Sequence, residues 1–195
     1  MKPHKYGLEC VVMAQWDVGM HERIAGAIKQ ARGKRSAQWL ADRTIELGYP
    51  ISRAQIANYE SGRKKGLDIA ELIVIAAALD TSPVTLIYPG PYDRAVEFLP
   101  GCETQELVAA EWFSAAGYYR VVDGGDGKRA DEYVAGRRWE EQVRPFRLSR
   151  EIGLYERARD ALIARGDLDD GDRERIDFYN SAIRGMRLQL GVIDA

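Results

Sequence analysis

The chain has few cysteines and few histidines: two of each among 195 residues. Cys10 and Cys102 exclude a disulfide-rich scaffold and most structural zinc sites, and we expect both to be reduced thiols. His4 and His21 lie far apart, with no Cys or His at the spacing of a metal site. No Ser/His/Asp or Cys/His arrangement stands out. The sequence therefore predicts a protein that is not an enzyme and that holds neither a metal nor another cofactor.

Long apolar runs are also absent from the sequence. The longest, Leu72 to Leu79, falls far short of the ~20 residues that a membrane helix needs. The N-terminus has no apolar core of a secretory signal, and Met20 is a candidate natural start preceded by an upstream extension. Apolar residues make up 46% of the chain and charged residues 30%, which is typical of soluble globular proteins. We expect a cytoplasmic protein.

Charge is unevenly distributed along the chain, although the net charge is only -2. Residues 1–89 carry a net +3 and residues 90–195 a net -5. Within residues 32–65, eight basic side chains stand against three acidic ones. A positive segment of this kind on a nearly neutral chain favours a polyanionic partner.

Breaks in composition divide the chain into three regions. Residues 1–20 show no clean period and are interpreted as an N-terminal arm. Residues 21–89 alternate apolar-periodic stretches with short polar breaks, and Pro89-Gly90-Pro91 is a strong breaker that predicts a domain boundary. Residues 92–195 are predicted to form a helical C-terminal domain that ends in a helical hairpin, so the expected fold class is all-α.

Five short helices are predicted between residues 21 and 89. The first has one apolar face, with Ile24, Ala27, Ile28 and Ala31 at helical spacing. Serine or aspartate precedes each of the next four helices as an N-cap, and Pro83 opens the fifth. In the second helix the predicted inward face is Trp39, Leu40, Ile45 and Leu47. Gly62 is placed to end the third helix.

Four segments of this region carry a family pattern: SAQWLA at 36–41, IANYESG at 56–62, LIVIAAAL at 72–79 and SPVTL at 82–86. In their order and spacing they resemble the XRE-like helix-turn-helix domains of Cro and lambda-type repressors. The intervening stretch, residues 41–53, is similar to a variant found in actinobacteria and their phages. The resemblance implies a five-helix, lambda-repressor-like domain that binds double-stranded DNA.

The third helix, residues 52–60, is the predicted recognition helix, because a helix-turn-helix presents polar side chains near the N-terminus of that helix to the major groove. Arginine can read guanine, and glutamine and asparagine can read adenine. The predicted base-reading residues are Ser52, Arg53, Gln55 and Asn58. A second set of residues is predicted to contact phosphates, either through basic side chains or through groups at the N-terminus of the second helix. It comprises Lys34, Arg35, Ser36, Gln38, Arg43, Arg63, Lys64 and Lys65.

The C-terminal region offers an apolar seam in its last helix. The seam residues follow alternating spacings of three and four, as in a coiled coil. They are Ile176, Tyr179, Ile183, Met186 and Leu190. Three interpretations stay open: an intramolecular hairpin, a homodimer that places two recognition helices one DNA turn apart, and contacts with another protein or, through the arginines between 137 and 150, with DNA.

Together these features predict a sequence-specific DNA-binding transcriptional regulator, a repressor of phage-immunity or bacterial-operon type, located in the cytoplasm at the nucleoid. The alternative is an antitoxin or similar regulator whose region 92–195 binds a cognate protein. An accessory factor such as a phage excision protein is a third interpretation. The acidic stretch at 167–172 does not have the spacing of a calcium loop and is predicted to be a turn with a helix N-cap.

Overall fold

A computed structural model describes residues 6–63, 66–117 and 129–192. Within those ranges the chain forms eight α-helices and one two-stranded antiparallel sheet. In chain order the elements are α1 (Tyr6–Arg32), α2 (Ala37–Glu46), α3 (Arg53–Glu60), α4 (Ile69–Ala78), α5 (Pro83–Ile87), β1 (Ala95–Leu99), β2 (Cys102–Gln105), α6 (Glu106–Phe113), α7 (Arg129–Arg165) and α8 (Asp170–Gln189).

The chain divides into two compact units, Met1–Val121 and Val122–Ala195, here called the N-terminal and C-terminal units. The division lies about thirty residues beyond the predicted boundary at Pro89-Gly90-Pro91. Residues 92–117 therefore belong with the first five helices, and the C-terminal unit is smaller than the sequence predicted.

Helices α2, α3 and α4 begin where the sequence predicted, because their N-cap side chains accept hydrogen bonds from unpaired backbone N–H groups. The Ser36 hydroxyl accepts from the Trp39 N–H at 3.0 Å, and the Asp68 carboxylate from the Ala70 N–H at 2.7 Å. Gly62 follows α3 at a φ of +68°, a left-handed conformation that favours glycine. Pro83 occupies the first turn of α5, also as predicted.

Each helix of the N-terminal unit contributes at least one side chain to its core. Ile28, Leu40, Ile56 and Ile75 are almost completely buried. The predicted inward face of α2 was partly wrong, because Ile45 and Leu47 are exposed and α2 instead buries Leu40, Ala41 and Thr44. Helical geometry places positions 40, 41 and 44 on one face and position 45 off it, whereas Leu47 is the C-cap residue beyond the end of α2.

The segment predicted as an arm is helical from Tyr6 onward, as part of the 27-residue α1. Further along this helix, Ile24, Ala27 and Ile28 bury an apolar face against the core. The absence of a clean apolar period before residue 20 therefore did not indicate the absence of a helix.

A β-hairpin was missed by the all-α prediction. Val96 pairs with Thr104 and Glu97 with Glu103, and the inward side chains Val96 and Phe98 join the helical core. The strands are only four and five residues long, and such short alternating segments are weak sequence signals.

The predicted break at residues 89–91 is a turn that is held in place by hydrogen bonds. The fully buried Glu106 carboxylate accepts from the Gly90 N–H at 3.0 Å and from the Arg94 Nε at 2.6 Å. Backbone bonds from Glu106 to Arg94 and from Leu107 to Tyr92 continue the attachment. A proline-glycine turn therefore connects two parts of one unit here.

The C-terminal unit is a hairpin of α7 and α8. Ile152, Ile183 and Met186 form its buried apolar centre, with Leu148, Tyr155 and Leu190 packed against them. The Asp169 carboxylate caps α8 by accepting from the Asp172 N–H at 2.8 Å, so the predicted turn and N-cap are confirmed. The buried Asp172 carboxylate pairs with Arg165 of α7. It also pairs with Arg175, whose Nη2 lies 3.1 Å from Asp172 Oδ1.

The predicted seam lies along this hairpin. Ile183 and Met186 are buried against α7, Leu190 packs against the same cluster, and Ile176 and Tyr179 are partly exposed. This arrangement favours the intramolecular hairpin among the three interpretations that the sequence left open.

None of the described helices combines the length and the apolar character that crossing a lipid bilayer requires.

Candidate nucleic-acid interface

Helix α3 presents a polar surface on the outside of the N-terminal unit. Ser52, Arg53 and Asn58 are exposed, whereas Ile56 and Tyr59 of the same helix are buried. This division matches the sequence prediction that the apolar positions enter the core and the polar ones remain accessible. An accessible guanidinium and amide on one short helix are suited to hydrogen bonding with base edges in a major groove.

Gln55 is partly buried and takes part in a capping box with Ser52. Its Oε1 accepts from the Ser52 N–H at 2.9 Å, and its own N–H donates to the Ser52 hydroxyl at 3.2 Å. Both side chains therefore stabilise the start of α3, and the oxygen of Gln55 is already engaged. Of the four predicted base-reading residues, Arg53 and Asn58 are the ones placed to contact another molecule without breaking this box.

Two exposed alanines share the accessible surface of α3 with these residues, and the sequence prediction did not include them. Ala54 and Ala57 are exposed between Arg53 and Asn58. A small apolar side chain permits close approach and can contact a thymine methyl group. The signal that could have identified them is their position, since neither falls on the buried face that Ile56 and Tyr59 define.

The end of α3 is tied to α1 by an ion pair with two hydrogen bonds. Arg32 Nε lies 2.6 Å from Glu60 Oε1, and Arg32 Nη2 lies 2.7 Å from Glu60 Oε2. Both side chains are largely shielded from solvent. The hydrogen bonds that Arg32 donates to the Glu60 carboxylate raise the pKa of Arg32 above its ordinary value. Glu60, a residue of the family pattern, therefore positions the helix within the unit.

A second attachment joins α3 to α4. The Tyr59 hydroxyl donates to the buried Glu71 carboxylate, which also accepts from the Asp68 N–H at 3.3 Å as part of the capping box of α4. Between them, the Glu60 and Glu71 contacts hold α3 against α1 and α4 and so fix the direction in which its outer surface faces.

The connection between α2 and α3 closes around the buried hydroxyl of Thr44. This hydroxyl donates to the Ala41 carbonyl at 2.7 Å and accepts from the Ile51 N–H at 3.0 Å. Gly48 turns the chain at a φ of +83°. Thr44 thereby sets the position at which α3 begins relative to α2, a role that the sequence analysis did not assign.

The predicted phosphate-contacting residues divide into two groups. Lys34, Gln38 and Arg63 are exposed, and Ser36 caps α2 at its exposed N-terminus. Gln38 Nε2 donates to Asp42 at 2.8 Å. Lys34, Ser36 and Gln38 lie at the start of α2, where backbone N–H groups favour an anion, whereas Arg63 follows the end of α3.

Arg35 and Arg43 belong to the second group, whose cations have partners within the chain. Arg35 donates to the Ala31 carbonyl at 2.7 Å and stacks its guanidinium 4.0 Å from the centre of the Trp39 ring. Arg43 pairs with Glu46 on the exposed surface of α2. Arg35 thus helps to end α1, because cations near a helix C-terminus satisfy its last carbonyls. Lys64 and Lys65 lie outside the described residues.

Within the described part of the chain, no group of three or more His, Cys, Asp or Glu side chains is arranged to hold a metal ion. His21 Nδ1 lies 3.1 Å from the Asp17 carboxylate one helical turn earlier, and Cys102, on β2, is a free thiol. The exposed guanidinium of Arg53 and the exposed amide of Asn58 give the α3 surface a charge and hydrogen-bonding groups.

The chain was compared with protein-family models, with curated proteins and with solved structures, and no match was found in any of the three comparisons.

Proposed function

We propose that this protein is a sequence-specific DNA-binding transcriptional regulator of the XRE-like helix-turn-helix type, with residues 52–60 in the major groove. The observation that carries the proposal is the exposed surface of α3, on which Arg53 and Asn58 flank two alanines while Ile56 and Tyr59 anchor the helix. Arginine reads guanine, asparagine reads adenine, and alanine contacts thymine methyl groups. The basic segment 32–65 supplies the electrostatic attraction that such a surface requires.

The packing of α3 supports the same function. A recognition helix transmits sequence preference only if its side chains are held in one register, because phosphate contacts fix the protein on the duplex and base contacts then read it. The bonds of Glu60 to Arg32 and of Tyr59 to Glu71 attach α3 at its end and along its inner face. Lys34 and Arg63 are exposed and lie outside α3. In this proposal they contact phosphates on either side of the groove that α3 enters.

The test begins with selection of bound duplexes from a random pool, followed by affinity measurements on the winning sequence and on random duplex at one salt concentration. Arg53→Ala and Asn58→Ala should each reduce the preference for the selected sequence by about 1–3 kcal/mol, or roughly fivefold to 150-fold. Lys34→Ala should weaken binding to both duplexes alike and reduce the salt slope by about 1.

Arg173→Ala is the matched control, since it removes one exposed cation from α8 and changes the net charge as Arg53→Ala does. It should leave the ratio of the two affinities unchanged. The proposal fails if no duplex is enriched, or if Arg53→Ala and Asn58→Ala lower both affinities equally.

A second function, binding of another copy or of a cognate protein, is favoured by the surface of the C-terminal unit. Phe146, Leu154, Ile163 and Phe178 are each at least half exposed on a hairpin with a small core. Exposed apolar side chains mark a contact surface where they form a contiguous patch. We propose that a second copy covers them, because regulators of this type place two recognition helices on successive turns of DNA. The antitoxin alternative instead assigns this surface to a different protein.

Sedimentation velocity over a range of concentrations distinguishes these two arrangements. A homodimer predicts a concentration-dependent increase in sedimentation coefficient that Phe178→Lys reduces, and a palindromic sequence among the selected duplexes. A chain that remains monomeric at all concentrations, next to a small toxin-like reading frame in its genome, would favour the antitoxin function.

A further inference from the structure

Helix α8 of the C-terminal unit has an outer face in addition to the face that packs on α7. Ile183 and Met186 are buried against α7, whereas Phe178 is 58% exposed. Gly185 lies on the same side of α8 as Phe178, because seven residues make almost two complete helical turns. The rings of Phe178 and of Tyr155 in α7 lie 6.0 Å apart, so Phe178 is held at the edge of the hairpin as a projection.

Gly185 is a glycine that the hairpin itself does not require. It lies in the interior of the 20-residue α8, and its φ is outside the left-handed region. A methyl group at this position would meet no atom of the described residues within 4 Å, apart from the adjacent backbone of its own helix. Glycine is less favourable than alanine inside a helix. The missing side chain leaves a depression that lies about 10.5 Å along the helix from Phe178.

Two charged side chains accompany this projection and this depression. Asp177 precedes Phe178 and Arg184 precedes Gly185, and both charged residues are exposed. Within the part of the chain that the structure describes, neither has an ion-pair partner. They are also seven positions apart, and about 10.5 Å along one helix is too far for them to pair with each other. The outer face therefore has a projection beside an acid and, two turns later, a depression beside a base.

This pattern is complementary to itself when two copies of α8 meet in antiparallel orientation. A two-fold axis near Ser181 brings Phe178 of each copy opposite Gly185 of the other, and Asp177 opposite Arg184. The ring then enters the depression, and opposite charges lie together. A two-fold interface requires such self-complementarity, because the same patch contributes both sides. In a parallel arrangement each of these residues would instead lie opposite its own copy, with like charges together.

We propose that the outer face of α8 binds a second copy of this chain through an antiparallel contact of α8 with α8. The inference rests on the self-association proposed above and specifies the surface that carries it. Both the sizes and the charges on this face alternate about one point on the helix. A different protein as partner would not require that coincidence.

Sedimentation velocity of the full chain at low ionic strength, where charge pairs are least screened, measures the dissociation constant of the dimer. Asp177→Arg and Arg184→Asp should each weaken the dimer by about tenfold, because two attractive pairs become two repulsive pairs. An equimolar mixture of the two variants should recover the affinity, since every altered side chain then faces an opposite charge on the other copy. This recovery cannot arise within one chain.

Gly185→Leu tests the depression independently of charge. Leucine favours the helix more than glycine does, so circular dichroism should show a folded hairpin. The dimer should nevertheless weaken by about tenfold, because the side chain fills the space that Phe178 of the other copy occupies. Asp160→Arg is the matched control, since it reverses the charge of a carboxylate of α7 that is 63% exposed. It should leave the dissociation constant unchanged.

The outcomes separate this contact from self-association in general. A dimer that Asp177→Arg, Arg184→Asp and Gly185→Leu all leave intact overturns the α8 contact, and so does a mixture that recovers no affinity. In both cases self-association stands and uses another surface. A chain that remains monomeric at all concentrations overturns the α8 contact and the proposed self-association together.

Discussion

At the scale of single residues, buried polar side chains determine how the helices of the N-terminal unit are joined. The Thr44 hydroxyl connects the Ala41 carbonyl in α2 to the Ile51 N–H just before α3. The Glu106 carboxylate does the same for the turn at Gly90. Each of these atoms satisfies backbone groups that are out of reach of water, and a buried backbone group left unpaired is costly.

Thr44→Val tests this role, because valine has the shape of threonine but cannot accept the hydrogen bond from Ile51. We expect the free energy of unfolding to fall by about 1–3 kcal/mol, the cost of leaving a buried donor unsatisfied. Urea denaturation followed by circular dichroism measures it. Thr44→Ser keeps the hydroxyl and should recover part of the loss, and a Val variant as stable as the unmodified chain would contradict the assignment.

At the scale of elements, the eight residues of α3 must both hold the helix in the unit and leave a surface for a partner. Its inner face must anchor the helix through Ile56 and Tyr59, and its first turn must be capped, which engages Ser52 and Gln55 with each other. What remains for an external partner is the surface around Arg53 and Asn58. From residue type alone, all four polar residues of α3 were predicted to read bases. Hydrogen bonding in the capping box joins Ser52 to Gln55 and leaves Arg53 and Asn58 as a separate, accessible pair.

The turn before β1 attaches the β-hairpin and α6 to the helical core through the Glu106 carboxylate. Glu106→Gln replaces one carboxylate oxygen with an NH₂ group that faces the donors of Gly90 and Arg94. We expect a loss of about 1.5–3 kcal/mol in the free energy of unfolding, the usual contribution of hydrogen bonds to a charged group. Asp93→Asn, on the exposed part of the same turn, is the control and should change stability little in the same urea titration.

At the scale of the whole molecule, the two units have very different cores. The N-terminal unit buries apolar side chains from six helices and a strand in one cluster. The C-terminal unit, as described, buries Ile152, Ile183 and Met186 between two helices. A chain of about 70–80 residues with a core this small seldom folds stably without disulfides, metals or association.

Fragments divided at the unit boundary test this difference. Residues 1–121 should show helical circular dichroism and a cooperative thermal transition without the rest of the chain. Residues 122–195 should melt with little cooperativity at low concentration, and at a midpoint that rises with concentration if a second copy completes the core. A cooperative transition of 122–195 that is independent of concentration would show that the hairpin suffices by itself.

Much of the N-terminal unit was determined by the sequence alone, because helix starts and inward faces depend on neighbouring residues. Ser36, Ser52, Asp68 and Pro83 lie at the predicted starts, since a cap acts on N–H groups two or three positions away. The mostly helical character followed from the same local signals. The function that this pattern implies remains a prediction.

Tertiary structure alone decided which polar groups are engaged and which short segments pair. Arg32 is paired through Glu60, twenty-eight positions later, and the turn at Gly90 becomes part of the unit through Glu106, sixteen positions later. The packing of Val96 and Phe98 of β1 on the helical core likewise requires side chains distant in sequence to meet. The periodicity of apolar residues along the sequence does not predict such contacts, because the contacts stabilise the protein only when the elements pack together.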